Sequence, residues 1–240
     1  MLTNEEARYL LDKGEVLYQA NKFSMALDCY SELISNAYPN PYYFKKRALI
    51  YRITGRIEAA LNDLDAAIDL DPDDSVSYWE RGACYAHRLS MDKEIDNAQK
   101  KLLLKKILAD YKRAIERNPA SAEAWLAIVE TNLLLQDWDG AISEYGACKP
   151  YVDTKEYQLI RSWLGCLSLA FAGDSLEEDD TKYLFDSNIR LGTTSWCISE
   201  IDSLFSELVE QRFNEKRLNQ ALEIQNKFIE HFDEPPIRAK

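Results

Sequence analysis

Apolar positions along the chain recur at spacings of three and four, the period of helices with one buried face. Leu10, Gly14 and Leu17 share one such face, and Ala26, Tyr30 and Leu33 share another. The pattern then repeats. Leu10, Phe44 and Tyr78 lie 34 residues apart, as do Gly14, Ala48 and Gly82, and as do Leu17, Tyr51 and Tyr85. A second set steps by the same 34 from Ala26 to Ala60, Tyr30 to Leu64 and Leu33 to Ala67. The classes keep their chemical type: large, small, large. This predicts helical hairpins, with the small residue where two helices cross closely and the large ones filling the holes beside it. Pro72 and Pro119 are placed to close second helices.

The register slips once. Leu64 maps to Tyr111, Ala67 to Ala114 and Tyr78 to Trp125, each 47 residues on, and the excess of 13 falls between Tyr85 and Ile107. The step of 34 then resumes from Ile107 to Ala141, Tyr111 to Tyr145 and Ala114 to Cys148. The third hairpin therefore carries a 13-residue insertion between its helices. Few helix breakers occur over 92–117, so the insertion is expected to extend the second helix, by roughly 20 Å at 1.5 Å per residue.

One further step reaches Leu159, Trp163 and Cys166, which share a face with Leu167 and Ala170 and predict another first helix. Its second helix is not evident. Residues 173–194 are polar and acidic, contain Gly192, and read as an irregular loop around a short apolar turn near 183–185. Two helices are predicted beyond it. Residues 196–212, starting at Trp196, carry Ile201, Leu204, Phe205 and Leu208. Residues 216–232 carry Leu218, Ala221, Leu222, Gln225, Phe228, Ile229 and Phe232. They read as a last hairpin that caps the array, with a family-specific module as the alternative.

These residues resemble the tetratricopeptide repeat family. The Ala-x-x-x-Tyr pairs Ala26/Tyr30 and Ala141/Tyr145 carry the likeness, with Trp125, Gly14, Gly82, Pro72 and Pro119, over about residues 7–153. Lys13, Ile107, Val129 and Asn132 depart from the family pattern without breaking the helical one. The resemblance implies an all-α, right-handed α-solenoid with four repeats in 1–153, at 7–40, 41–74, 75–121 (with the insertion) and 122–153. Divergent repeat-like or capping helices follow over 154–240. It also implies a concave surface, lined by the first helix of each hairpin, that takes a peptide or a segment of another protein. That inner face comprises Leu11, Glu15 and Tyr18, then Tyr42, Lys45, Leu49 and Arg52, then Val76, Trp79, Ala83 and His87. The fourth repeat adds Glu123, Leu126, Glu130 and Leu133. The partner-binding set expected from it is Tyr18, Tyr42, Lys45, Leu49, Arg52, Trp79, His87 and Leu126, with Lys45 and Arg52 pairing to carboxylates on the partner. One subset of the family clamps the C-terminal carboxylate of chaperones with Lys and Asn residues. With Lys45 as the first Lys, Leu49 and Glu80 stand where Asn belongs, so that clamp is not in place. The expected function is a scaffold or adaptor for another protein. An assembly or secretion chaperone shielding an apolar client segment is the alternative.

Composition narrows this further. A formal net charge of −12 opposes nucleic-acid binding. Residues 88–117 run the other way, with nine basic and five acidic side chains and Lys100, Lys101, Lys105 and Lys106 close together. A solvated helix face is the plain reading of that stretch. A handle for an acidic partner or RNA is the functional one, weakened for RNA by the lack of aromatic residues over 89–110. Five scattered cysteines read as free thiols of a reducing cytoplasm. The N-terminal residues do not read as a signal peptide, and no apolar run reaches membrane-spanning length.

Catalytic and metal motifs are wanting. Asp69, Asp71, Asp73, Val76 and Glu80 fall on the spacing of a calcium loop, but Asp74 replaces its turn glycine, Pro72 interrupts it, and the helical repeat claims both flanks. His87 and His231 have no ligand partners at metal-binding spacing, and neither a glycine-rich phosphate loop nor a Gly-x-Ser-x-Gly elbow is present. No enzyme activity, cofactor or metal is expected.

Overall fold

The computed structural model describes residues 1–92, 94–186, 188, 189, 191 and 199–232. These form two compact units, Met1–Asn118 and Pro119–Lys240. The division places the fourth repeat with the C-terminal helices, ahead of the break at 153 that the repeat pattern suggests.

In the first unit, α1 (Asn4–Gln19) pairs with α2 (Phe23–Asn36), α3 (Pro41–Ile53) with α4 (Ile57–Leu70), and α5 (Ser75–Met91) with α6 (Asn97–Arg117). Each second helix also packs on the next first helix. First helices start on side-chain caps. Thr3 forms a capping box with Glu6, Asn40 accepts from the Tyr42 amide ahead of Pro41, and Asp74 accepts from the Ser77 amide. The turn inside a hairpin is built alike each time. A residue at positive φ, Asn21 (56°) or Gly55 (74°), reverses the chain, and the next amide, of Lys22 or Arg56, bonds back to the carbonyl of Leu17 or Tyr51.

Among the described residues the third hairpin shows no such turn, and the insertion lies between its helices. The extra residues are shared: α5 has 17 residues against 13 in α3, and α6 has 21 against 14 in α4. The expectation that the second helix alone absorbs the insertion is corrected by this division. The α6 extension is about 10 Å rather than 20. Asp96 caps the new start of α6 by accepting from the amides of Ala98 and Gln99, which sets where the chain re-enters helix.

The close crossings are visible directly. A Cβ placed on Gly14 would lie 3.1 Å from the Tyr30 ring, and one on Gly82 would lie 2.5 Å from the Tyr111 ring. Between hairpins, two arginines 34 residues apart hold the stack. Arg47 grips Asp63 of its own hairpin with two bonds of 2.7 Å and reaches Ser31 of the preceding one. Arg81 does the same with Asp110, at 2.9 and 2.7 Å, and with Asp65. Both partner carboxylates are buried, where a two-pronged guanidinium bond is at its strongest.

In the second unit, α7 (Ala122–Leu134) and α8 (Trp138–Ala147) form a hairpin with the same turn: Gln136 at φ 59° and the Asp137 amide bonded to the Asn132 carbonyl. After a 3₁₀ turn at Lys149–Tyr151 comes α9 (Lys155–Ala172), buried from Leu159 to Phe171 except at Leu169 and closed by Gly173 at φ 88°. Short α10 (Glu178–Thr181), α11 (Ser199–Glu210) and α12 (Glu215–Ile229) complete the unit. The helix expected from Trp196 begins at Ser199; Gly192, Trp196 and Cys197 lie outside the described residues.

The last two helices do not pack as a hairpin of their own. α12 packs along α9, the position of a second helix of the fifth repeat, while α11 packs on α7. Trp163 stacks on Phe228 at 4.1 Å and donates to Gln225, whose amide donates to Asp202 of α11. The apolar stripes of both helices, apart from the exposed Leu222, are therefore spent inside one core with α7 and α9. His231 ties the segment after α12 to the stretch after α10, its ring nitrogens 2.8 Å from the carbonyl oxygens of Ile189 and Leu184.

Two glycine substitutions test the crossings. Gly82→Val forces a branched side chain into the Tyr111 ring and should lower the unfolding free energy by about 1–3 kcal/mol in a denaturant titration. Gly146→Ala, whose Cβ meets nothing within 4 Å, should raise it by about 0.5–1 kcal/mol.

Candidate functional site

The surface offered by the first helices differs between the two units. In the first unit the inner stripes stay partly open. Leu11, Glu15 and Tyr18 on α1 are half-buried, as are Lys45, Leu49 and Arg52 on α3 and Trp79, Ala83 and His87 on α5. Tyr42 is 37% exposed and Val76 50%. Their spacing by threes and fours puts each set on one side of its helix, roughly a quarter turn from Gly14, Ala48 and Gly82.

Polar contacts join these stripes from helix to helix. The Tyr42 hydroxyl donates to Glu15 at 2.9 Å, and Lys46 pairs with Glu15 at 3.0 Å, linking α3 to α1. Lys45 pairs with Asp74 at 2.9 Å and Arg52 with Glu80 at 3.2 Å, linking α3 to α5. Lys45 and Arg52 thus already hold carboxylates of their own chain, and a partner carboxylate would have to compete for them. Burial opposes the charge on Glu15, but hydrogen bonds from Lys46 and Tyr42 outweigh it and hold the carboxyl below its usual range. Burial opposes the charge on Asp74 too, and bonds from Ser77 and Lys45 again prevail. Tyr18 rests 6.0 Å from Phe23, and Trp79 lies 4.9 Å from Tyr111, so both aromatic residues are seated on their own hairpins with an edge left to solvent.

In the second unit the corresponding face is covered. Leu126 and Leu133 are fully buried. Leu126, expected to meet a partner, is corrected to a core position: α11 packs over α7, and the apolar residues of both helices share one cluster. Glu123 is held by the Tyr157 hydroxyl. Glu130 lies near Glu200 of α11. Burial, with the like charge of Glu200 second, pushes its carboxyl up to about 8.

The remaining chemistry is structural. Asp69 and Glu80, the ends of the calcium-like spacing, sit in different helices, and Glu80 is paired with Arg52. Among the described residues, no group of three or more His, Cys, Asp or Glu side chains is arranged to hold a metal ion. Cys29, Cys84, Cys148 and Cys166 are free and buried, and burial raises the Cys84 and Cys166 thiols to about 12. None of the described helices is long and apolar enough to cross a membrane. The arginine–aspartate pairs were not singled out in the sequence, although Arg47 and Arg81 keep the 34-residue step and Asp63 and Asp110 the 47-residue one.

Stacked hairpins with a shared turn, small-residue crossings and a first-helix face define an α-helical repeat protein. Residues 48–87 match the family model described as TPR repeat, and residues 108–150 match the one described as tetratricopeptide repeat. Those two segments of the chain carry tetratricopeptide repeats, and the fold is the all-α helical-repeat fold of proteins built from them, with a divergent helical C-terminal end.

Among curated proteins, it is 28% identical over 120 residues to serine/threonine-protein phosphatase T of Trypanosoma brucei brucei, covering 50% of this chain and 22% of that one. It is 33% identical over 76 residues to the heat-shock protein cognate co-chaperone sgt12 of Aspergillus fumigatus, covering 32% and 22%. The chain spans about a fifth of the length of these curated relatives. Among solved structures it is similar to YrrB, described as a TPR protein with an unusual peptide-binding site, at 16% identity and a TM-score of 0.57 over 75% of this chain and 84% of that one. These likenesses fit a protein-interaction scaffold.

The two units should respond to pH in opposite senses. Glu130 has its folded value raised from 4.5 to about 8, so its stabilising effect is present in acid and is lost as pH rises through that window. Stability of the second unit should therefore fall steadily as pH rises from the ordinary carboxylate range to about 8. Glu15 and Asp74 are depressed, so their contribution to the first unit disappears as pH falls below the ordinary carboxylate range. Glu130→Gln should remove most of the alkaline loss, measured as amide-exchange protection of α7, α9 and α12 between pH 5 and 9.

Proposed function

We propose that this chain is a scaffold or adaptor that holds a segment of another protein on the first-helix face of its N-terminal unit. One observation carries the reading: Tyr42, Leu49, Val76 and Trp79 remain at least partly open on α3 and α5, framed by polar pairs that bridge α1, α3 and α5. Apolar and aromatic edges set among fixed charges suit a segment that alternates apolar anchors with polar groups. Binding is assigned to Tyr42, Lys45, Leu49, Arg52 and Trp79, with Tyr18 and His87 at the ends of their stripes. Leu126 is withdrawn from this set because it lies in the core.

The ion pairs shape what fits. An acidic side chain on the partner would gain contact with Lys45 or Arg52 only by displacing Asp74 or Glu80, so net attraction is modest and the apolar anchors supply most of the binding. The described peptide site of YrrB agrees with this class of function. The phosphatase likeness covers only a fifth of that enzyme and carries no catalytic reading here.

Affinity capture from source-cell lysate, comparing wild type with Tyr42→Ala/Leu49→Ala, tests the proposal. A partner held by wild type should be lost at least about tenfold by the double variant, under conditions where thermal unfolding shows both proteins still folded. Exchange protection by the purified partner should then fall on α1, α3 and α5. Equal capture by both proteins, or protection confined to the C-terminal unit, would overturn the reading.

A further inference from the structure

The insertion places an unusual surface on the third hairpin. Lys101, Lys105 and Lys106 stand exposed on α6 around Leu102, itself 59% exposed, and Met91 at the end of α5 is 68% exposed. Lys106 lies 5.5 Å from the Tyr85 ring, and no carboxylate among the described residues pairs with any of the three lysines. The carboxylate α6 carries nearest the middle of the helix, Asp110, is buried and held by Arg81. The hairpin fold needs Leu103, Leu104 and Ile107 from this stretch, which are buried; it does not need the lysines or Leu102.

Charge is unevenly divided along the chain. Residues 1–118 hold 18 basic and 19 acidic side chains, whereas 119–240 hold 11 and 22. In the second unit an open groove runs between the end of α9 and α12, lined by Asp174, Glu215 and Glu223 with Lys216 among them. None of the three carboxylates is engaged in an ion pair among the described residues. Leu222, 38% exposed, adjoins this side of α12 by helical spacing from Glu215 and Asn219. Cations around an exposed leucine on one unit are thus matched in kind by carboxylates around an exposed leucine on the other.

We propose that the basic extension of α6 docks on the acidic groove beside α12 of a second copy of this chain, giving a head-to-tail, salt-sensitive self-association. Such an interface is heterologous, since it joins different surfaces of the two copies. It uses neither the α3 and α5 face nor its residues, and stands apart from the scaffold reading. Long-range attraction between unpaired surface charges is screened beyond about 8 Å at physiological ionic strength, so low salt should favour assembly and high salt should undo it.

Sedimentation velocity across a concentration series tests this. At low salt the mean mass should rise with concentration above the 27.7 kDa of one chain, and it should return there at high salt. Lys101→Glu/Lys105→Glu and Glu215→Lys/Glu223→Lys should each weaken association at least about tenfold while leaving thermal unfolding unchanged. Mixing these two variants should restore it, since each then offers the other a complementary surface. Wild type that stays monomeric at low salt throughout, or a mixture that fails to associate, would overturn the proposal. So would a monomeric protein that binds a labelled single-stranded RNA through the same lysines, which would reassign the patch to nucleic acid.

Discussion

The close approach of paired helices governs the rest of this structure. Gly82 against Tyr111 leaves no room for a side chain at the crossing, and Gly14 against Tyr30 leaves little, so small residues set how a first helix lies on its partner. With the crossing set and the turn set by Asn21 or Gly55, the opposite side of every first helix must face away from the hairpin. The first-helix face is in this sense a by-product of packing. Residues there are released from the core, and what they do depends on what else reaches them.

Arg47 and Arg81 carry the same order from one hairpin to the next. Each bonds a buried aspartate of its own second helix and a polar group of the preceding one. Taking away one partner would strand a charge in a largely buried place, which is why the pair specifies register as well as adding stability. The ion pairs of Glu15, Asp74 and Glu80 then tie neighbouring first helices together on the open side. In the C-terminal unit the same face is closed by α11, and the cost appears in Glu130, a carboxyl kept from ionising until about pH 8.

Much of this was legible in the sequence because periodic packing leaves periodic residues. The hairpins, the crossings and the slip of 13 could be read from Gly14, Ala48, Gly82, Tyr111 and Tyr145. The C-terminal third could not be read in the same way. The helix that completes α9 is α12, reached only after α10 and α11, so no fixed step connects Trp163 with Phe228. Leu126 stands at the repeat position of Lys45 and Trp79, which are partly open; only the placement of α11 separates the covered residue from the open ones. The division of the insertion between α5 and α6 depended on the Asp96 cap, which a count of breakers does not weigh.

The central claim is that the first-helix face is open in the N-terminal unit and closed in the C-terminal one. The rate of maleimide labelling at single introduced cysteines measures this most directly, in a Cys197→Ser background whose other cysteines, Cys29, Cys84, Cys148 and Cys166, are buried. Val76→Cys should react at close to the rate of a free thiol, and Leu126→Cys only after denaturant is added. Equal rapid labelling at both positions in the folded protein would contradict the account.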